Sequence, residues 1–253
     1  MFFSQSRQTA LATSATFRPP NRTIARMKKP DIELEFSDKY TREHAERYFN
    51  KHNSSLRRRL STWREVQVAR KALHLAGDPN LVLDLPCGAG RFWPMLAEKQ
   101  NRVIIGADNS AGMLEVACHR QPAAIVARVK PMRTSAFAID LPDNAVDCIF
   151  SMRLLHHIGQ PEARQCLLRE FHRVTRDSLL ISLWVDGNYK AWKKARGRKR
   201  LDIAADGTAY QNRHVIPAKT IESEFREAGF TLQDHLDCIP KWAMWRLYIL
   251  HKA

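Results

Sequence analysis

Residues 81–92, LVLDLPCGAGRF, decide the fold. A short apolar strand ends in Asp84, and a tight loop follows that carries Gly88 and Gly90. Further on, a second apolar run over 102–107 ends in Asp108, twenty residues after Gly88. Glycines after a first strand let backbone approach a ligand, and an acid closing a second strand can bind the hydroxyl pair of a ribose. The spacing from Gly88 to Asp108 therefore describes a nucleoside site. A dinucleotide fingerprint would place its third glycine where Trp93 stands, with Pro94 following, so NAD is the weaker choice of ligand.

Outward from this stretch, strand and helix patterns alternate, the signature of a parallel sheet. The expected strands are 81–85, 102–107, 124–129, 146–151 and 178–184, and a final pair covers 231–236 and 244–251. Helices are expected over 91–99, 111–120, 161–175 and 218–228, the last closed by Gly229. Upstream, apolar residues at roughly helical spacing predict a helix over 38–53. Another is predicted over 60–76, stopped by Gly77 with Pro79 just beyond.

The motif Asp84-Leu85-Pro86-Cys87-Gly88-Ala89-Gly90 resembles the first motif, D-x-x-x-G-x-G, of class I S-adenosylmethionine-dependent methyltransferases. The resemblance runs from about 81 to 184 and more loosely to the C-terminus. It implies an α/β chain with a three-layer Rossmann-like methyltransferase fold: a seven-stranded, mostly parallel sheet, an antiparallel last strand, and helices on both faces. It also implies S-adenosylmethionine as cofactor. Gly88 and Gly90, having no Cβ, allow close approach of backbone to its amino-acid end and sulfonium, alongside Pro86 and Cys87. Asp84 can engage the ammonium and offset the cationic sulfonium. Asp108, an acceptor when ionised, can take both ribose hydroxyls. Asn109 follows it, and Met113 is placed to cover one adenine face. The family's acid-alanine pair at the adenine is replaced here by Ser135-Ala136, ahead of Leu141-Pro142. Asp147 matches the acid at the start of strand four, a structural position more often than a ligand-binding one.

Past the end of strand four comes Ser151-Met152-Arg153-Leu154-Leu155-His156-His157, the segment that faces the reacting methyl in this fold. Ser151 is assigned to the cofactor side. His156, ahead of His157, is the candidate base or acceptor contact, since imidazole can take a proton from a phenol or enol. The histidine pair resembles the quinone-biosynthesis and related small-molecule branches of the family. Neither an Asn/Asp-Pro-Pro-Tyr/Phe motif nor a Pro-Cys pair follows strand four, which disfavours a nucleobase target.

The chain has 253 residues, enough for one α/β domain, with a formal net charge of +15. Such charge suits an anionic partner, membrane headgroups or RNA, although a solvated basic surface would give the same excess. Candidate anion contacts are Arg57 and Arg58 in an arginine triplet, Arg153, and Lys193, Arg196 and Arg198 in YKAWKKARGRKR. That run interleaves Tyr189 and Trp192 with its cations and suits a phosphate, a lipid surface or a substrate lid. It belongs to a basic insertion over 186–216. The five cysteines are scattered without a C-x-x-C pair, which fits a reducing compartment and neither zinc nor disulfides. Residues 1–30, basic and rich in Ser and Thr, read as a tail or a misplaced start at Met27 rather than a transit peptide. The methyltransferase domain is then 31–253, with an N-terminal helical cap over 38–76. With no apolar run of about 20 residues, a cytoplasmic protein, peripheral to membrane at most, is expected. The leading function is methyl transfer to oxygen or carbon of a small or lipid-like, anionic acceptor. The alternatives are an RNA methyltransferase and a non-catalytic cofactor-binding subunit. The acceptor and the oligomeric state are not legible in the sequence.

Overall fold

The computed structural model describes residues 56–197, 202–203, 209–210 and 212–253. The tail over 1–30, the helix expected over 38–53 and Arg198 lie outside the described residues. In chain order the elements are α1 (Leu56–Leu75), β1 (Leu81–Asp84), α2 (Trp93–Leu96), β2 (Val103–Asp108), α3 (Ala111–Arg120), α4 (Ala123–Val126) and β3 (Val129–Arg133). Then follow β4 (Val146–Ser151), α5 (Pro161–Val174), β5 (Thr175–Trp184), α6 (Tyr189–Arg196), β6 (Asp202–Ile203), β7 (Ala209–Tyr210), α7 (Ala218–Glu227), β8 (Phe230–Asp237) and β9 (Trp245–Lys252).

The main sheet has seven strands in the order β3-β2-β1-β4-β5-β9-β8, and β6 and β7 form a separate pair. β9 runs antiparallel to both neighbours, so the other six strands are mutually parallel, as the resemblance implied. Chain order reverses between β1 and β4, which opens a crevice at the carboxyl ends of those strands. Both faces are covered. α5 and α7 pack on one face over a cluster that includes Leu83, Ile149, Phe171, Ile181 and Phe225. α1 and α2 cover the other, with Ala69, Leu73, Trp93, Ile104 and Phe150 in its core. On the first face the two helices are joined by a buried pair, in which Arg164 Nε of α5 donates to Glu224 of α7 at 2.7 Å.

The third strand is a correction. The run expected as a strand over 124–129 is instead the one-turn helix α4 after Pro122, and β3 begins only at Val129. β3 reads Val-Lys-Pro-Met-Arg and pairs only with β2, so as an edge strand it needs little apolar surface and tolerates Pro131. The apolar Ala-Ala-Ile-Val run had masked it. The helix expected over 91–99 shrinks to Trp93–Leu96, and α1 starts earlier than expected, so that it takes in Arg57 and Arg58. Within the basic insertion, Tyr189–Arg196 folds as α6, its amino end capped by Asn188 Oδ1, which accepts from the Ala191 N–H at 2.9 Å.

Candidate active site

Register brings the site's carboxylates together. Asp84 ends β1 opposite Gly106 of β2 and Phe150 of β4, and Asp108 ends β2. Asp84 is 1% exposed, and neither of its carboxylate oxygens has a hydrogen-bond partner in the chain. Burial first, then the charge of Asp108, pushes its carboxyl well above the usual carboxylate range, opposed by the Trp93 indole and Arg91. The Trp93 N–H lies nearby but makes no hydrogen bond of normal geometry. Asp108 is better satisfied: Oδ2 accepts from the Gly88 N–H at 3.0 Å and Oδ1 from Ser110 N–H at 2.9 Å. Burial still raises its carboxyl, and those N–H groups hold it down.

The loop between them is shaped for a visitor. Gly88 has φ +54°, and a Cβ built on it would meet nothing within 4 Å, so open space lies above it. Gly90 is tight for another reason: a Cβ there would stand 2.8 Å from the Trp93 ring. The same indole would be 2.5 Å from a Cβ on Gly106. Trp93 therefore fills the space between loop and second strand, which accounts for the missing third glycine. Cys87 is buried beside both acids, and burial with those charges pushes its thiol well up, away from nucleophilic duty. Met113 is buried at the start of α3, Asn109 is exposed, and Ser110 caps α3 through Met113 N–H at 3.2 Å. Ser135 and Ala136 are half-buried, and Ser135 Oγ already accepts from Phe137 N–H at 3.2 Å. Pro86 is half-buried after a cis Leu85–Pro86 bond. Asp147 is used structurally, since it accepts from Leu81 N–H at 2.8 Å and pairs with Arg176 at 3.1 Å.

At the end of β4, Ser151 is fully buried with its hydroxyl unbonded, and Arg153 turns the chain at φ +65°. His156 and His157 follow in a 3-10 turn over Leu155–His157. His156 is 2% exposed and sits in an aromatic cluster. It stacks on Trp184 at 5.0 Å, meets Trp245 edge-on at 4.8 Å and touches His157 at 4.0 Å. Burial, and then His157, Arg213, Arg153 and Lys194, drive its imidazole well below the ordinary value. It is thus neutral at physiological pH and suited to hydrogen bonding and stacking more than to storing a proton. His157 Nδ1 is engaged by Asn212, at 2.7 Å from the carbonyl and 2.6 Å from Oδ1.

The sequence reading missed Glu65, Trp184 and Trp245, for contacts between distant segments leave no local pattern. Glu65 of α1 is 5% exposed and pairs with Arg91 after the glycine loop and with Arg153 after β4. Burial alone would raise its carboxyl, but the two guanidiniums outweigh it and hold it low. A small cavity opens beside this trio, between Glu65, Met152, Arg153 and Trp245. Arg153 also lies over the Trp245 ring at 5.0 Å, and Lys194 of α6 over Trp184 at 4.5 Å. Lys193 and Arg196 lie elsewhere, on the exposed side of α6. Among the described residues there is no cluster of three groups fit to hold a metal, and no helix long and apolar enough to cross a membrane.

A family described as a methyltransferase domain matches residues 82–178. An uncharacterised methyltransferase of Schizosaccharomyces pombe is 27% identical over 130 residues, 47% of this chain and 48% of that protein, so the match spans about half the relative's length. Among solved structures, magnesium protoporphyrin IX methyltransferase of Synechocystis with bound S-adenosylhomocysteine overlays with a TM-score of 0.65 at 13% identity, covering 87% of this chain and 98% of that one. An S-adenosylmethionine-dependent methyltransferase of Methanosarcina mazei gives 0.55 at 16% identity, with 69% and 92% covered.

Proposed function

We propose, from the premise that the chain carries a class I S-adenosylmethionine-dependent methyltransferase domain, that it methylates an oxygen or carbon of a small, flat, anionic acceptor. The observation that carries this is the aromatic cluster of His156, Trp184 and Trp245 at the carboxyl ends of β4 and β5, with Arg153 and Lys194 against its rings. Indole faces favour a flat apolar body, and nearby cations favour a negative group on it.

The residues present fit the cofactor. Asp84 offers two unbonded carboxylate oxygens for an ammonium, Asp108 offers remaining lone pairs for ribose hydroxyls, and Gly88 leaves open space between them. The bound cofactor supplies an electrophilic methyl on sulfur. The chain's part is orientation and exclusion of water. Glu65 draws α1 down onto Arg91 and Arg153, which closes the crevice from the helix side. His156, kept neutral, can accept a hydrogen bond from an acceptor hydroxyl through its unpartnered Nδ1.

The test is methyl transfer from radiolabelled S-adenosylmethionine into fractionated cell extract, with Asp108→Ala as control. Label in the organic-soluble fraction that the variant does not produce is the expected result. RNase-sensitive label in the polymer fraction would place the acceptor among RNAs and end this reading.

A further inference from the structure

Among the described residues, seven large hydrophobic side chains are exposed, and six of them gather on three adjoining segments. They are Leu60 and Trp63 of α1, Tyr189 and Trp192 of α6, and Ile239 and Trp242 in the turn between β8 and β9; each leaves 42% to 64% of its surface open. Backbone ties that turn to both helices. Arg64 Nε donates to Cys238 O at 2.9 Å, Tyr189 N–H to Lys241 O at 2.9 Å, and Lys190 N–H to Trp242 O at 3.1 Å. The Tyr189 ring stacks on Trp242 at 4.6 Å and on Trp192 at 5.8 Å, and Arg196 lies 3.9 Å over Trp192. Across residues 56–64, 189–196 and 238–242 the sequence carries nine Lys or Arg and no Asp or Glu.

We propose that α1, α6 and the β8–β9 turn form a docking surface for an anionic lipid bilayer. The aromatic and aliphatic side chains enter the headgroup layer, and the cations pair with lipid phosphates. Water-exposed indoles beside lysines are the composition of an interfacial anchor. A nucleic acid is the poorer occupant, because Leu60 and Ile239 have no face for a base to stack on. In addition, the tyrosine and tryptophan faces are spent largely on one another. A second copy of the chain would set cation against cation. The inner side of α6 buries Ala191 and lays Lys194 over Trp184, so the docking face backs onto the aromatic cluster. An acceptor held in a bilayer would thus meet the site from the side that docks.

The test uses the full chain and vesicles of equal parts phosphatidylglycerol and phosphatidylcholine, against phosphatidylcholine alone, in a co-sedimentation assay. Binding to the anionic vesicles that falls steeply with salt is expected. The combination Lys190→Gln, Lys193→Gln and Arg196→Gln should weaken it about a hundredfold, at about fivefold for each lost cation. Trp63→Ser, Trp192→Ser and Trp242→Ser together should weaken it further, whereas Val103→Ser, the remaining exposed hydrophobic position, should not. Circular dichroism checks that each variant folds. Undiminished vesicle binding by the patch variants would overturn the proposal. So would patch-dependent capture of a single-stranded oligonucleotide in preference to vesicles, or tryptophans already shielded from acrylamide without lipid. The last result would mean that residues 1–55 or a second copy cover the face. None of these readouts requires methyl transfer, so failure here is separable from failure of the proposed activity.

Discussion

A carboxyl group with both oxygens buried and unbonded costs the free protein stability whenever it ionises. For Asp84 the folded carboxyl lies well above its unfolded value of about 3.9. Its contribution is therefore intact below that value and is lost as pH rises through the folded one. Asp84→Asn should melt higher than the parent at neutral pH, by a margin that vanishes in acid. The same variant should bind S-adenosylmethionine about tenfold or more weakly, having lost a charged partner for the ammonium. Thermal melts across pH, with binding measured alongside, check both; a margin independent of pH would contradict the assignment. His156 has the opposite sign. Its folded imidazole lies below the ordinary 6.5, so the stability it contributes is present above 6.5 and is lost as pH falls. His156→Phe should flatten the acid side of the stability profile between 6.5 and the parent's folded value. An unchanged acid limb would argue against a neutral buried ring.

At the scale of elements, α1 is fastened by one buried carboxylate. Glu65→Gln leaves Arg91 and Arg153 facing each other without a counter-charge, and should cost about 3 kcal/mol in chemical unfolding. A loss within error of zero would show that apolar packing through Ala69, Ala72 and Leu73 suffices to hold the helix. None of this is visible from the local sequence. The β1 loop, β2 and β4 were legible because their buried strands are short apolar runs closed by an acid, a glycine or a turn. β3 was not, because an edge strand with one partner needs no such run, and the neighbouring Ala123–Val126 stretch supplied a more apolar decoy. Trp93 was legible as an interruption of the glycine pattern, yet its role in filling the space over Gly90 and Gly106 required coordinates. The aromatic cluster was half legible: the histidines stood in a motif, but Trp184 and Trp245 meet only through the β5–β9 register.

For the whole molecule, one end of the sheet gathers the candidate site and one side carries the proposed docking face. The acids of β1 and β2, the turn after β4 and the cluster at β5 and β9 all stand near the crevice where strand order reverses. The net charge of +15, uninformative as a bulk number, acquires meaning where it is concentrated beside exposed aromatics. Everything proposed for the reaction rests on the crevice holding S-adenosylmethionine. Calorimetric titration of the full chain with that cofactor, beside Asp108→Ala checked for folding by its melting transition, tests this most directly. The predicted result is saturable one-site binding that weakens about a hundredfold in the variant, as two hydroxyl bonds to a charged acceptor are lost. No saturable binding, or equal binding by both proteins, would contradict it.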